Sequence, residues 1–225
     1  MKKKEKNILT LFCGVVMGIF SFTSCAEHKS QEQIMSDERV IPAIKTDTAT
    51  FATGCFWCTE AIFQRLKGVI KVISGYSGGK MANPTYEEVC TGTTGHAEAC
   101  QIIYDPSKVS FDELLKVFWK THDPTTLNRQ GNDVGTQYRS AIFYHNDYQR
   151  ERSEHYKTIL DSGGIYNGPI VTAIEPYKNF YSAEDYHQDY FNSNPNQMYC
   201  RLVIQPKVEK FEKIFKDELK EPNSK

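Results

Sequence analysis

The sequence has no excess of either charge: 27 Lys and Arg stand against 28 Asp and Glu, a formal net charge of −1. No long basic stretch lies inside the body of the chain. A nucleic-acid partner is therefore not expected, because such binding usually needs a basic face. A comfortable membrane span is missing too, since the apolar run from Ile8 to Phe22 falls short of the ~20 residues a bilayer core demands. There is no internal repeat. There is also no metal-ligand spacing, because His122, His145, His155 and His187 do not fall into register with the cysteines. What is present is 225 residues, 40% hydrophobic and 24% charged. That suits one globular domain with a sizeable core plus extra segments.

The extra segments are N-terminal. Lys2, Lys3, Lys4 and Lys6 precede the apolar run, the pattern of a targeting signal. Phe22-Thr23-Ser24-Cys25 then resembles a bacterial lipoprotein cleavage box, with Phe22 where the box usually carries Leu. The resemblance implies that residues 1–24 are a signal peptide and that the Cys25 thiol is acylated, which would tie the protein to a membrane. Ordinary secretion or an uncleaved anchor remain open. Each alternative places the protein outside the cytoplasm, in a bacterial cell envelope, at the periplasm or the cell surface. Residues 25–47 are polar and mixed in charge and read as a flexible tether. The folded body is expected over residues 48–220.

The cysteines are Cys13, Cys25, Cys55, Cys58, Cys90, Cys100 and Cys200. Without Cys13 and Cys25, an odd number remains. In an oxidising compartment that argues against a purely structural disulfide framework. A redox-active thiol there would need a supply of electrons.

The body is organised around Gly54-Cys55-Phe56-Trp57-Cys58-Thr59-Glu60. Thr48 to Thr53 reads as a short strand and Thr59 to Leu66 as a helix, with Gly54 at the bend. Cys55 then lies at or near a helix N-terminus, where unpaired N–H groups and the helix dipole are expected to lower a thiol's pKa. Cys58 follows about one helical turn later, near enough in principle for a disulfide. Two readings stay open here. One is a reactive cysteine with a resolving partner, since C-x-x-C at a strand-to-helix turn recurs in redox sites. The other is a pair of buried small hydrophobes.

Further along, Val69, Val72 and Ile73 suggest a strand that runs into a loop at Gly75 to Gly79. Asn83-Pro84-Thr85 is a turn, and Thr85 with Glu88 caps a short helix through Val89. Ala97 to Tyr104 reads as a strand. Ser110 to Lys120 is a helix: Ser110 and Glu113 form a capping box, and Phe111, Leu114, Leu115 and Phe118 fall on one face. A polar loop, Asn128 to Arg139, leads to a strand at Ser140 to Tyr144. A helix is expected at Tyr148 to Leu160, a strand at Ile170 to Ile174 and a short helix at Ser182 to Phe191. A strand is expected at Leu202 to Ile204. Val208, Phe211, Ile214, Phe215 and Leu219 mark a last amphipathic helix. Strands alternate irregularly with helices, which predicts an α/β or α+β sandwich on a mixed sheet. Cys90 and Cys100 fall in helix and strand segments and read as inert packing residues.

Four stretches in order now carry a family resemblance: Gly54-Cys55-Phe56-Trp57, Asn83 to Val89, Gly95-His96-Ala97-Glu98, and Gly131 to Ser140. Together they resemble the A-type peptide methionine sulfoxide reductases, from about Thr48 to Lys213. The resemblance implies an α+β, ferredoxin-like two-layer α/β sandwich wrapped by long coil segments. It implies reduction of methionine S-sulfoxide, free or in oxidised proteins, with no metal, flavin or nicotinamide. Electrons would come from an external, thioredoxin-like thiol donor. A monomer is expected.

The resemblance also implies roles. Cys55 matches the nucleophile, which becomes a sulfenic acid as methionine leaves. Glu98 matches the acid that protonates the oxygen, and a low-dielectric site would keep it protonated. Tyr86 and Tyr138 match hydroxyls that hold the sulfoxide oxygen. Asp133 matches a residue that orients water and polar parts of the substrate. Phe56 and Trp57 match the pocket for the terminal methyl. Cys58 is placed to attack the sulfenic acid; many relatives lack it and use a cysteine near the C-terminus, where Cys200 is the candidate. Cys200 could also relay the disulfide to the surface. His96 lies in a matched motif but is assigned no chemistry. Two other readings are a thioredoxin-type thiol–disulfide oxidoreductase and a zinc module built on Cys55, Cys58, Cys90 and Cys100. The first leaves Glu98 without a task, and the second has a poor second knuckle.

Overall fold

The computed structural model describes residues 45–221. The expected signal segment, Cys25 and nearly all of the expected tether lie outside the described residues. The first strand, β1 (Asp47–Thr53), takes in the last tether residue. Then follow α1 (Phe56–Phe63), β2 (Val69–Ser77), α2 (Tyr86–Cys90), β3 (Ala97–Tyr104) and α3 (Phe111–Thr121). Two-residue strands β4 (Arg129–Gln130) and β5 (Asp133–Val134) pair within the polar loop. After them come β6 (Ser140–Tyr144), α4 (Asp147–Ser162), β7 (Ala173–Pro176), β8 (Phe180–Ser182), α5 (Tyr190–Ser193) and α6 (Gln205–Ile214).

The main sheet has the order β7-β6-β1-β3-β2-β8. It is mixed: β6 and β7 run parallel and the other neighbours antiparallel. β1 is buried from Ala49 to Thr53 because both of its faces are covered. On one face Phe51 meets the rings of Phe63, Phe111 and Phe118 at 5.6, 5.9 and 5.1 Å. On the other, Ala52 packs with Ala97, Ala99, Ala141 and Phe143. The small alanines let Tyr177 and Phe180, the first residue of β8, pack against this face.

The capping boxes form as expected. Ser110 Oγ accepts the Glu113 N–H at 3.2 Å, while Glu113 Oε2 accepts the Ser110 N–H at 2.7 Å. The same exchange joins Thr85 and Glu88. Each cap satisfies N–H groups that the first helical turn leaves without partners.

Several expectations are corrected. Gly75 to Ser77 is strand and not loop, since β8 pairs with it and supplies backbone partners along that edge. A Cβ at Gly75 would sit 2.4 Å from the Tyr181 carbonyl, so only glycine allows this approach. The Ser182–Phe191 helix is instead a strand end, a single turn at Asp185–His187 and the short α5. The strand at Ile170–Ile174 forms later, at Ala173–Pro176. Leu202 to Ile204 is helical, part of a π turn at Cys200–Ile204 that leads into α6. Burial of Cys200 and Ile204 in the main core outweighs the strand preference of that aliphatic run. Cys90, the last residue of α2, is exposed and not packed, and its sulfur comes within hydrogen-bonding reach of the Tyr86 hydroxyl.

Candidate active site

β1 and β3 run antiparallel, with Phe51 opposite Cys100. The end of β1 therefore arrives beside the start of β3, which brings the Cys55 turn to Glu98. Gly54 makes the turn with φ +94°. Cys55 is the N-cap of α1, and its carbonyl accepts the Cys58 N–H at 3.1 Å. Helix α1 starts three residues earlier than the sequence suggested, so Phe56, Trp57 and Cys58 all belong to its first turn.

Glu98 is 1% exposed, and its Oε2 accepts the backbone N–H of Phe56 at 3.0 Å. Burial pushes its pKa up to about 8, against the pull of that N–H, and the negative charges of Asp133 and Cys58 push the same way. The carboxyl is therefore mostly protonated at neutral pH. Tyr86 opens α2 and Tyr138 closes the turn Thr136–Tyr138. Both hydroxyls are held protonated first by burial and then by the field of Glu98. Phe56 lies against Trp57 at 6.0 Å and Tyr86 at 6.4 Å between ring centres, forming an aromatic wall next to the sulfur.

The cysteines correct one expectation. Burial raises the Cys55 thiol well above its ordinary pKa, reinforced by Cys58 and Glu98, so the helix N-terminus does not by itself make it an anion. Its partner behaves oppositely. Cys58 is drawn down to about 7, first by its hydrogen bond with Cys55, against the effect of burial, and then by Lys207. Both are buried, 5% and 3% exposed, and both are free thiols. Cys200 is also buried, at 0% exposure, which runs against its expected role as a relay to the surface. It senses the charge of Cys58. Cys100 is buried and its Sγ approaches the Phe56 carbonyl at 3.4 Å, a packing role. His96 is structural: Nδ1 accepts the Gly79 N–H at 3.0 Å and Nε2 meets the Met81 carbonyl at 2.8 Å. Among the described residues, no three His, Cys, Asp or Glu side chains gather as a metal site.

Sequence reasoning missed part of the surroundings. Tyr199 donates its hydroxyl to Asp133 Oδ2 at 2.7 Å and also comes within hydrogen-bonding reach of Cys55. Tyr190 stacks on Trp57 with ring centres 3.8 Å apart. The Trp57 Nε1–H donates to His187 Nδ1 at 3.2 Å. Glu184 accepts the Tyr86 N–H through Oε1 and the Tyr76 hydroxyl through Oε2, both at 2.9 Å. Among thirteen tyrosines, nothing in the local sequence marks Tyr190 or Tyr199. Only their place after α4, in segments that pack beside α1, does so.

Comparison with known proteins agrees with this geometry. The family model described as "Peptide methionine sulfoxide reductase" matches residues 47–219. Peptide methionine sulfoxide reductase MsrA 1 of Rhodopirellula baltica is 61% identical over 174 residues, covering 77% of this chain and 90% of that protein. MsrA of Picrophilus torridus is 56% identical over 169 residues, covering 75% and 95%. Among solved structures, Mxr1 from Saccharomyces cerevisiae in reduced form superposes with a TM-score of 0.64 at 38% identity, covering 70% of this chain and 90% of that one. Methionine sulfoxide reductase A of Corynebacterium diphtheriae gives 0.61 at 42% identity, covering 68% and 76%. The thioredoxin-type reading is not favoured by these matches. The chain belongs to the A-type peptide methionine sulfoxide reductases and is a peptide-methionine (S)-S-oxide reductase, driven by thiols.

Proposed function

We propose that Cys55 attacks the sulfoxide sulfur while Glu98 supplies a proton to its oxygen. One observation carries this reading: a buried, protonated carboxyl is held against the N–H of the residue that follows Cys55. Oxide is a poor leaving group, so proton delivery at this point supplies what the reaction needs. The Tyr86 and Tyr138 hydroxyls flank Glu98 and donate to the same oxygen. Phe56 and Trp57 receive the terminal methyl. Asp133, bonded to Tyr199, orients polar groups of the substrate. In balance, the Cys55 thiol and the sulfoxide give a sulfenic acid on Cys55 and methionine. The thiol proton ends on the transferred oxygen, and Glu98 regains the proton it lent.

Cys58 then attacks the sulfenic sulfur, forming a Cys55–Cys58 bond and releasing water. Its contact with Cys55 supports this assignment over Cys200. A thioredoxin-like thiol donor reduces the disulfide. The fold reading is a ferredoxin-like sandwich, supported by the order β6-β1-β3-β2 and by α1 and α3 lying in the two crossovers. The address is the bacterial envelope, with residues 1–24 a signal peptide, Cys25 lipid-modified and residues 25–47 a tether; Lys2 to Lys6, the apolar run and the Phe22–Cys25 box support it. The electron donor must then work outside the cytoplasm.

The test is chemical trapping. Cys58→Ser protein mixed with the S-sulfoxide and a sulfenic-acid-selective dione should carry the label on Cys55. Label on another cysteine, with Cys55 left as a free thiol, would reject Cys55 as the nucleophile.

A further inference from the structure

Lys207, in the first turn of α6, reaches back to α1 and donates from Nζ to Cys58 Sγ at 3.6 Å. Nothing in the methionine-forming step uses it. Its ammonium makes no carboxylate ion pair among the described residues. The half-buried lysine thus faces a sulfur and no carboxylate. Its nearby titratable neighbour His122 is held neutral, because burial takes its pKa down to about 4 and the Lys207 charge adds to that. The positive charge at Cys58 is thus the lysine's own.

We propose that Lys207 is a positioning residue of the second half-reaction: its ammonium, 3.6 Å from Cys58 Sγ, holds that sulfur as the anion that attacks the sulfenic acid on Cys55. The proposal rests on Cys58 being the resolving cysteine. A thiolate is the attacking form in such exchanges, and a nearby cation raises its share. In the step, the Cys58 thiolate supplies an electron pair to Cys55 Sγ, the S–S bond forms and the S–O bond breaks. Hydroxide leaves and takes up from solvent the equivalent of the proton that the Cys58 thiol gave up, becoming water. The chain keeps Cys58 buried and yet reactive by placing the cation on a separate helix.

The experiment follows both half-reactions in one turnover of the pre-reduced protein without external reductant. Methionine formed reports the first, and mapped Cys55–Cys58 disulfide the second. Lys207→Met should slow disulfide closure by about tenfold and move the midpoint of its pH dependence up by about one unit. Methionine release should fall by less than twofold. Lys207→Arg should restore most of the closure rate, and Lys207→Gln should behave like Lys207→Met, which guards against a folding fault in one variant. Cys55, Glu98, Asp133, Tyr199 and Cys200 also share the field at Cys58. They are common to every variant, so the shift isolates Lys207. Closure at the parent rate and midpoint in both neutral variants, with Cys58→Ser unable to close, would overturn the lysine's role alone. Closure in Cys58→Ser at the parent rate, through another cysteine, would overturn the resolver reading and this proposal with it.

Discussion

Glu98 Oε2 and the Phe56 backbone N–H stand 3.0 Å apart, which ties the acid of the site to the first residue of the helix that Cys55 caps. The strand-to-helix turn and the start of β3 are therefore one unit, and displacing either separates the acid from the sulfur. Glu98→Gln keeps an acceptor for Phe56 and loses the transferable proton. Methionine release in a single turnover should fall about 100-fold or more, with the fold intact by circular dichroism. A loss under tenfold would show that proton delivery comes from elsewhere.

The pH dependence has a definite sign. The Glu98 pKa is raised to about 8, so the acid form is present below that value and disappears above it. The rate of methionine formation in a single turnover should therefore fall through pH 8 to 9 on the alkaline side. In Glu98→Gln this limb should vanish from the residual rate. A limb that stays in place would assign it to another group.

Glu60 is 3% exposed, its Oε1 accepts the Asp189 N–H at 2.9 Å, and burial lifts its pKa to about 7. A carboxyl raised on folding binds its proton more tightly in the folded chain, so the stability it permits at low pH is lost as pH rises from ~4.3 to about 7. Glu60→Gln removes that loss. Its Tm should exceed the parent's by roughly 5 °C at pH 8 and by much less at pH 4.5. A constant difference across that range would mean that Glu60 does not titrate with folding.

Gly54 has φ +94°, and a Cβ there would lie 2.5 Å from Gln130 Cβ. Gln130 cannot yield freely, since its amide is bonded to both the N–H and the carbonyl of Asp123 at 3.1 and 3.0 Å. Gly54→Ala should cost about 2 kcal/mol or more in denaturant unfolding and lower methionine release by moving Cys55. Unaltered stability would mean the turn accommodates a left-handed alanine.

By contrast, Ser110→Ala lies far from the chemistry. Losing the cap of α3 should cost about 1 kcal/mol in urea unfolding, with methionine release per folded molecule unchanged.

What the sequence made legible follows from how local each cause is. The cap and apolar face of α3 depend on residues three and four apart, and they appear as read. Strand β3 and the bend at Gly54 are similar. Glycine at Gly75 reads as loop because its reason, close approach of Tyr181 across a strand edge, lies far along the chain. Leu202-Val203-Ile204 reads as strand because its helical state comes from the core that Cys200 and Ile204 enter. The residues Cys55, Glu98, Tyr86 and Tyr138 were legible through motifs and do converge. The protonation state of Cys55 was not, because it is set by burial that no spacing reveals. Tyr199, Tyr190, His187 and Lys207 reach the site from the C-terminal segments, outside any of the matched motifs.

The most direct test is a single turnover of the pre-reduced protein without added reductant, supplied in turn with the S and the R epimer of a blocked methionine sulfoxide. Methionine is counted and the disulfide is mapped by mass spectrometry. The account predicts one methionine per chain from the S epimer only, together with a Cys55–Cys58 bond. No methionine from either epimer, with the thiols intact, would contradict it.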